Sequence, residues 1–172
     1  MITQKDEREY IELVEGLRDT LYRLARSIVL DDAEVDDVLQ DLYERAWRAR
    51  DRVLNSQYPR AFLCRMARNI AIDRWRQRSR HRDDMALGSV TSLFDGDKGV
   101  DMSDMASITR RLIAQLPERQ RLSLQMRDVE GYEIEEIALV LECDESSVRM
   151  NLSRARKSIR EQLITYMNYG VK

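Results

Sequence analysis

Hydrophobic residues recur every three or four positions along most of this chain, the spacing that is typical of amphipathic helices. One stripe covers residues 10–28 and a second covers residues 35–47, with Asp32 expected as the N-cap of the second helix. The polar segment 50–58 is predicted to be a loop. A third helix is predicted to begin at Pro59, because the first helical turn tolerates a residue without an N–H.

The second half of the chain carries shorter helical stripes. Pro117 is predicted to end one helix and begin the next, which Gly131 then ends. A short helix is expected over residues 134–141, followed by a long last helix with Asp144 as its N-cap. Between the two halves, residues 82–103 lose the helical spacing and are rich in Gly, Ser and Asp, which predicts a linker.

The composition agrees with a helical fold, since the 172 residues include only six Gly and two Pro. We therefore predict an all-α protein of two small helical domains, residues 1–82 and 105–172, joined by a flexible acidic linker at residues 83–104. No stretch approaches the roughly 20 apolar residues that span a bilayer. The charged N-terminus does not resemble a secretory signal. We expect a cytoplasmic protein without direct membrane insertion.

The sequence offers no set of residues for catalysis or metal binding. Cys64 and Cys143 lie far apart and neither has a CxxC partner, so we expect small buried side chains and neither a disulfide nor a zinc site. His81 is the only histidine and lies within a run of arginines. A histidine-based dyad or a metal site is therefore not expected, and we predict no enzymatic activity, no metal and no cofactor.

Charge is strongly segregated, although the net charge is only −2. Residues 31–44 hold seven acids and no base, whereas residues 60–82 hold eight Arg and one Asp. Residues 83–104 hold six Asp and one Lys, residues 128–145 hold eight acids and no base, and residues 146–160 hold five bases and no acid. Such blocks create local fields of opposite sign. Solvated helix faces explain single charges better than a run of eight arginines.

Residues 133–160 have the pattern of a helix-turn-helix, a short helix followed by a tight turn and a longer helix. The second helix of such a unit enters the major groove of DNA. At about 100° per residue, its apolar positions fall on one side, and on the other side fall Arg149, Met150, Ser153, Arg154, Lys157 and Arg160. Arg156 and Lys157 are expected to contact phosphates. A basic solvated helix in a bundle is the alternative, but it does not account for the short helix and the turn.

The arginine-rich segment 60–82 suits a strand of DNA laid along a helix, because arginine neutralises phosphates and stacks on bases. Phe62 and Trp75 are expected to belong to the core. The face opposite the apolar one carries Arg65, Asn69, Asp73, Arg76 and Arg80. The acidic segment 31–44, which includes Gln40, suits a basic protein partner, and a merely solvated acidic face remains its alternative.

Taken together, these segments resemble the extracytoplasmic-function group of the sigma-70 family. The conserved helix pair of that family resembles LYRLARSIVLDDAEVDDVLQDLYERAW, and its promoter-melting helix resembles PRAFLCRMARNIAIDRWRQRSR. The C-terminal pattern of that family closely resembles LPERQRLSLQMRDVEGYEIEEIALVLECDESSVRMNLSRARKSIREQL. The resemblance implies a factor that binds core RNA polymerase, recognises promoter DNA at two elements and helps to open the duplex. It also implies an anti-sigma factor that holds the protein inactive.

The resemblance also implies roles for residues. The third helix would contact the minus-ten element, with Asn69 and Asp73 at the matching positions. The preceding loop, residues 51–58, would receive a base flipped out of the DNA. The last helix would read the minus-thirty-five element through Arg149, Met150, Ser153 and Arg154. The acidic linker would thread through the polymerase toward its RNA path and mimic nucleic acid by its charge. The clamp helices of the polymerase would be bound by Asp36, Asp37, Gln40 and Asp41.

The chain departs from the family at a few positions. Phe62 stands where the family usually has Trp, which should preserve packing. Met150 and Asn151 replace residues that are often polar or basic, so the promoter preference of the family cannot be transferred to this chain. Two alternatives stay open: a stand-alone dimeric helix-turn-helix regulator that needs no polymerase, and a helical adaptor that binds only proteins.

Overall fold

A computed structural model describes residues 4–29, 31–83 and 105–169, and these residues contain no strand, which confirms the all-α prediction. Their helices are α1 Gln4–Val29, α2 Asp32–Arg48, α3 Arg50–Leu54, α4 Pro59–Asp83, α5 Met105–Ala114, α6 Glu118–Leu124, α7 Ile134–Leu141 and α8 Glu145–Tyr169. The first four helices form one compact unit, and the others, apart from residues 139–141, belong to a second. Apart from Asp83, the predicted linker lies outside the described residues. No described helix is long and apolar enough to cross a membrane.

The first unit is built on three amphipathic helices, with α4 packed against both α1 and α2. Their predicted apolar stripes meet in a core that includes Leu21, Leu24, Val38, Leu42 and Leu63, all fully buried or nearly so. Truncating one such leucine to alanine typically costs about 2–5 kcal/mol. The core therefore holds α2 and α4 side by side, with one face of each helix left to solvent.

Two details of the first unit differ from the prediction. Asp31, not Asp32, is the N-cap of α2, since its Oδ1 accepts a hydrogen bond from the Ala33 N–H at 3.0 Å and its backbone is extended. The expected loop at residues 50–58 contains the short helix α3, which is anchored by the fully buried Val53. In contrast, α4 begins at Pro59 as predicted.

In the second unit, a half-buried arginine stabilises the turn between α5 and α6. The Nη1 of Arg121 donates hydrogen bonds to the carbonyl oxygens of Ala114, at 3.2 Å, and of Leu116, at 2.9 Å. Burial lowers the pKa of this guanidinium below its ordinary value. Pro117 is the N-cap of α6, which agrees with the predicted break between two helices.

Helix α6 continues into a π-helical turn, Gln125–Val129, which the sequence pattern did not predict. π-helical turns occur frequently at functional sites. Gly131 ends this segment with a φ of +72°, a conformation that residues with a Cβ rarely adopt. The predicted stop at Gly131 is therefore confirmed, and the extra π turn lies just before it.

Candidate nucleic-acid interface

Helices α7 and α8 form the predicted helix-turn-helix, joined by the turn at residues 142–144. The Oδ1 of Asp144 accepts hydrogen bonds from the Ser147 N–H at 2.6 Å and from the Ser146 hydroxyl at 2.8 Å, so Asp144 is the N-cap of α8 as predicted. These hydrogen bonds lower the pKa of Asp144. Glu142 has a φ of +52°, so the turn uses a left-handed position that is usually occupied by glycine.

Helix α8 packs against α5 and α6 and leaves a basic face to solvent. Its buried positions include Val148, Leu152 and Ala155. The six positions predicted for its outward face are all exposed: Arg149, Met150, Ser153, Arg154, Lys157 and Arg160. The arrangement leaves this face accessible along several turns of the helix.

The charged side chains of this face differ in how strongly they are engaged. The Nη2 of Arg149 lies 2.8 Å from Oε2 of Glu145, and the Nζ of Lys157 lies 3.8 Å from Oε1 of Glu161. Exposed pairs of this kind contribute about 0–1 kcal/mol and exchange readily with other partners. Arg154 forms no ion pair within the described part of the chain. All three cations are therefore available to a polyanion.

Arg156 is held by a residue outside the helix-turn-helix. Its Nη2 lies 2.6 Å from Oδ1 of Asp128 and its Nε lies 3.2 Å from Oδ2, a bidentate pair between α8 and the π-helical turn. The hydrogen bonds that Arg156 donates to the Asp128 carboxylate raise the pKa of Arg156. Helical spacing does not predict this pair, because 28 positions separate the two residues. Only part of the Arg156 guanidinium remains for a phosphate.

The surface of α4 has a buried side and an outward stripe. Ala61, Leu63, Cys64, Ala67 and Ala71 are fully buried or nearly so. The five predicted contact positions lie on the opposite side, half-buried or exposed: Arg65, Asn69, Asp73, Arg76 and Arg80. These residues form a mixed polar and basic stripe along most of the helix.

Two aromatic residues flank this stripe. Phe62 is half-buried, and the guanidinium of Arg65 lies 5.3 Å from the centroid of its ring. The prediction that Trp75 belongs to the core is wrong, since its side chain is 45% exposed. The reason is that α4 extends beyond the packed core: none of its residues from 72 to 80 is buried. An exposed Trp and a half-exposed Phe can both stack on unpaired bases.

Two half-buried arginines of the run form ion pairs with acidic residues of α2 and its N-cap. The Nη1 of Arg78 lies 2.5 Å from Oε1 of Glu34 and 3.5 Å from Oδ2 of Asp31. The Nη1 of Arg74 lies 3.2 Å from Oδ2 of Asp37, and its Nη2 lies 3.9 Å from Oδ2 of Asp41. We call these four contacts the α2–α4 ladder. Because Arg74 and Arg78 form these contacts, we do not count them as members of the outward stripe.

The four acidic and amide positions predicted on α2 are not equivalent. Asp36, Asp37 and Gln40 are exposed, whereas Asp41 is half-buried. Besides its contact in the ladder, Oδ2 of Asp41 lies 3.0 Å from Nη2 of Arg45. Within the described residues, the side chains of Asp36 and Gln40 form no hydrogen bond or ion pair, so these two are the most available to a partner.

An open cleft of about 400 Å³ lies between α1 and α2. Trp47 lines it, edge-on to Tyr10 at 5.5 Å and beneath the Arg50 guanidinium at 4.6 Å. Burial raises the pKa of both Tyr10 and Tyr43, another residue of the lining. Tryptophan is enriched in protein–protein interfaces, so the exposed Trp47 suits a protein-binding surface. No group of His, Cys, Asp and Glu in the described ranges could hold a metal ion.

Two family models match the chain, one for each compact unit. Sigma-70 region 2 matches residues 13–81, and sigma-70, region 4, matches residues 107–159. The RNA polymerase sigma-H factor of Pseudomonas aeruginosa is 28% identical, over 94% of this chain and 90% of its own length. The ECF RNA polymerase sigma factor SigM of Mycobacterium tuberculosis is 30% identical, over 88% of this chain and 74% of its own length.

Two solved structures are similar in fold. The sigma factor RpoE from Bartonella quintana, solved in complex with the anti-sigma factor NepR, gives a TM-score of 0.69 at 21% identity, over 94% of this chain and 98% of that one. CnrH, solved in complex with the cytosolic domain of CnrY, gives a TM-score of 0.64 at 25% identity, over 92% of this chain and 90% of that one. At 21% identity, the first of these likenesses shows the fold alone.

Proposed function

We infer the function of this protein from the fact that its chain belongs to the sigma-70 family, in the extracytoplasmic-function group. It is a transcription-initiation factor and not an enzyme: it binds core RNA polymerase and directs promoter recognition, DNA melting and the start of transcription. The observation that carries this conclusion is the match of both sigma regions, in order, within one chain. We propose residues 1–82 as the region 2 domain, 83–104 as the linker and 105–172 as the region 4 domain.

The exposed face of α8 is proposed to read the minus-thirty-five element. The N-terminal residues of a recognition helix face base edges in the major groove. We therefore propose that Arg149, Met150, Ser153 and Arg154 contact the bases, and that Lys157 and the remaining N–H groups of Arg156 contact phosphates. The support for this assignment is the uninterrupted exposure of the face and its positive charge.

The outward stripe of α4 is proposed to bind the minus-ten element as the duplex opens. In this proposal Arg76 and Arg80 neutralise phosphates, and Asn69 hydrogen-bonds a base. Arg65, next to Phe62, offers both charge and a stacking surface, and Asp73 accompanies them on the stripe. Captured bases offset the unstacking of the duplex, a few kcal/mol per flipped base. Melting by this route needs no cofactor.

The exposed side of α2 is proposed to bind core RNA polymerase. Asp36 and Gln40 have no ion pair or hydrogen bond with any described side chain, and Asp37 is exposed although it contacts Arg74. Asp41 lies half-buried beside them. A basic partner complements this surface in charge, and complementary charge accelerates association. The exposed Trp47 adds an apolar contact beside it.

We also propose that an anti-sigma factor binds this protein and that the protein acts in the cytoplasm, where polymerase and DNA are found. The support for such a partner is the similarity, at 25% identity, to CnrH, which was solved in complex with the cytosolic domain of CnrY. The stand-alone regulator and the protein-binding adaptor, which the sequence left open, have no specific observation in their favour.

A gel-shift assay with core polymerase tests this function. The isolated protein should bind promoter DNA weakly at physiological salt, and core polymerase should confer specific binding. Arg154→Ala should weaken the holoenzyme–promoter complex roughly five- to 150-fold, which corresponds to about 1–3 kcal/mol for one base contact. Arg110→Ala is the matched control, because Arg110 is exposed on α5, outside the proposed interface. Tight specific binding by the protein alone would contradict the proposal.

A further inference from the structure

We propose that Met150 determines promoter specificity by contacting the 5-methyl group of a thymine in the upstream element. This inference rests on the proposed binding of α8 to that element and adds the chemistry that one of its residues recognises. It follows from the exposure of Met150, from its neighbours on α8 and from the way each base differs in the major groove.

Met150 is a large apolar side chain on an otherwise polar and basic face. Its side chain is 50% exposed, although Val148 and Leu152 on the other side of the helix are buried. Packing of the second unit therefore does not require an apolar residue at this position. Met150 lies within two turns of the N-cap Asp144, in the part of a recognition helix that faces bases.

The neighbours of Met150 on the exposed face of α8 are polar or charged, so Met150 is the residue suited to contact apolar surface of a base. Arg154 is suited to the acceptors of guanine, and Ser153 can pair with several bases. Arg149 is partly engaged by Glu145 on the preceding turn. Each of these side chains reads hydrogen-bonding groups, so none of them distinguishes a base by its apolar surface.

The thioether of methionine has no donor and is only a weak acceptor. It therefore cannot read the donor and acceptor pattern that distinguishes the other base edges. In the major groove, thymine is the base that presents a methyl group, and apolar side chains contact it there. Contact between Met150 and this methyl removes apolar surface of both groups from water, which is favourable.

The test removes that one methyl group from the DNA. Each thymine of the upstream element is replaced in turn by uracil, which lacks the 5-methyl group but keeps the base pairing. The affinity of the complete holoenzyme for each promoter is then measured. One replacement should weaken wild-type binding about three- to fivefold, equivalent to about 0.7–1 kcal/mol, close to the value of one buried methylene. Met150→Ala should make the holoenzyme insensitive to that replacement.

Two further variants complete the test. Met167→Ala is the matched control, because Met167 is 63% exposed near the other end of α8, and it should keep the wild-type sensitivity. Met150→Gln keeps the length of the side chain but removes its apolar end, and it should lose the sensitivity as Met150→Ala does.

The outcomes separate the two proposals. Promoter binding in which no thymine replacement matters, or in which Met150→Ala responds as the wild type does, overturns the role of Met150 and leaves the sigma function intact. Absence of promoter binding by the wild-type holoenzyme overturns both.

Discussion

Changing Arg78 to alanine should destabilise the first unit, whereas changing Arg76 to alanine should leave its stability unchanged and weaken promoter opening. The two arginines are two positions apart on α4, but the first belongs to the α2–α4 ladder and the second to the outward stripe. They carry the same charge, so the comparison separates a structural from a DNA-binding role at constant net charge.

The size of the effect follows from the surroundings of Glu34. Its side chain is 24% exposed, its Oε1 lies 2.5 Å from Nη1 of Arg78, and its buried Oε2 has no hydrogen-bond partner among the residues that the structure describes. Exposed pairs contribute about 0–1 kcal/mol, whereas breaking a fully buried pair costs about 3–5 kcal/mol. This pair lies between the two cases, so Arg78→Ala should lower the free energy of unfolding by about 1–2 kcal/mol.

Urea unfolding of a double-mutant cycle measures this value. The cycle comprises Arg78→Ala, Glu34→Gln and the double variant, and a coupling of about 1 kcal/mol is expected. Arg76→Ala should stay within about 0.5 kcal/mol of the wild type, because it is exposed and forms no ion pair with the described residues. Wild-type stability in Arg78→Ala, together with a loss of promoter opening, would refute this reasoning and make Arg78 a DNA contact.

Other substitutions give equally definite expectations. Glu142→Gly should raise the free energy of unfolding by about 0.5–1 kcal/mol, because it relieves a φ of +52°, and Gly131→Ala should lower it by about 1–2 kcal/mol; opposite signs in urea unfolding would contradict this. The lowered pKa of Asp144 means that its stabilisation is complete above the ordinary value of 3.8 and is lost as the pH falls through the lower folded pKa. Circular dichroism should therefore show Asp144→Ala to be less stable at neutral pH and to approach the wild type in acid, and an equal difference at every pH would refute the capping role. Asp36→Lys should abolish binding to core polymerase in size-exclusion chromatography, whereas Glu12→Lys, an exposed control on α1, should bind normally; unchanged binding by Asp36→Lys would contradict the α2 assignment.

Local chemistry made several features of the fold predictable. Pro59 begins α4 and Asp144 caps α8, because a missing N–H and a capping carboxylate act on neighbours only a few positions away. The exposed face of α8 was likewise predictable, since helical phase follows from spacing alone. The roles of its side chains stay predictions until binding is measured.

Features that depend on distant contacts were not predictable in this way. Segment 50–58 reads as a loop, but Val53 packs into the core and stabilises α3. Trp75 continues the apolar stripe of α4 in the sequence, but this part of the helix extends beyond the packed core, so the side chain is exposed. The pairing of Arg156 with Asp128 brings together positions 28 apart, which helical spacing cannot detect.

Run-off transcription with purified core polymerase, on a library of promoters, tests the central claim most directly. We expect specific transcripts that start only when this protein is present and that are lost when the charge of Arg149 and Arg154 is reversed. Absence of any transcript that depends on the protein, under conditions in which it remains folded, would contradict its assignment as a sigma factor.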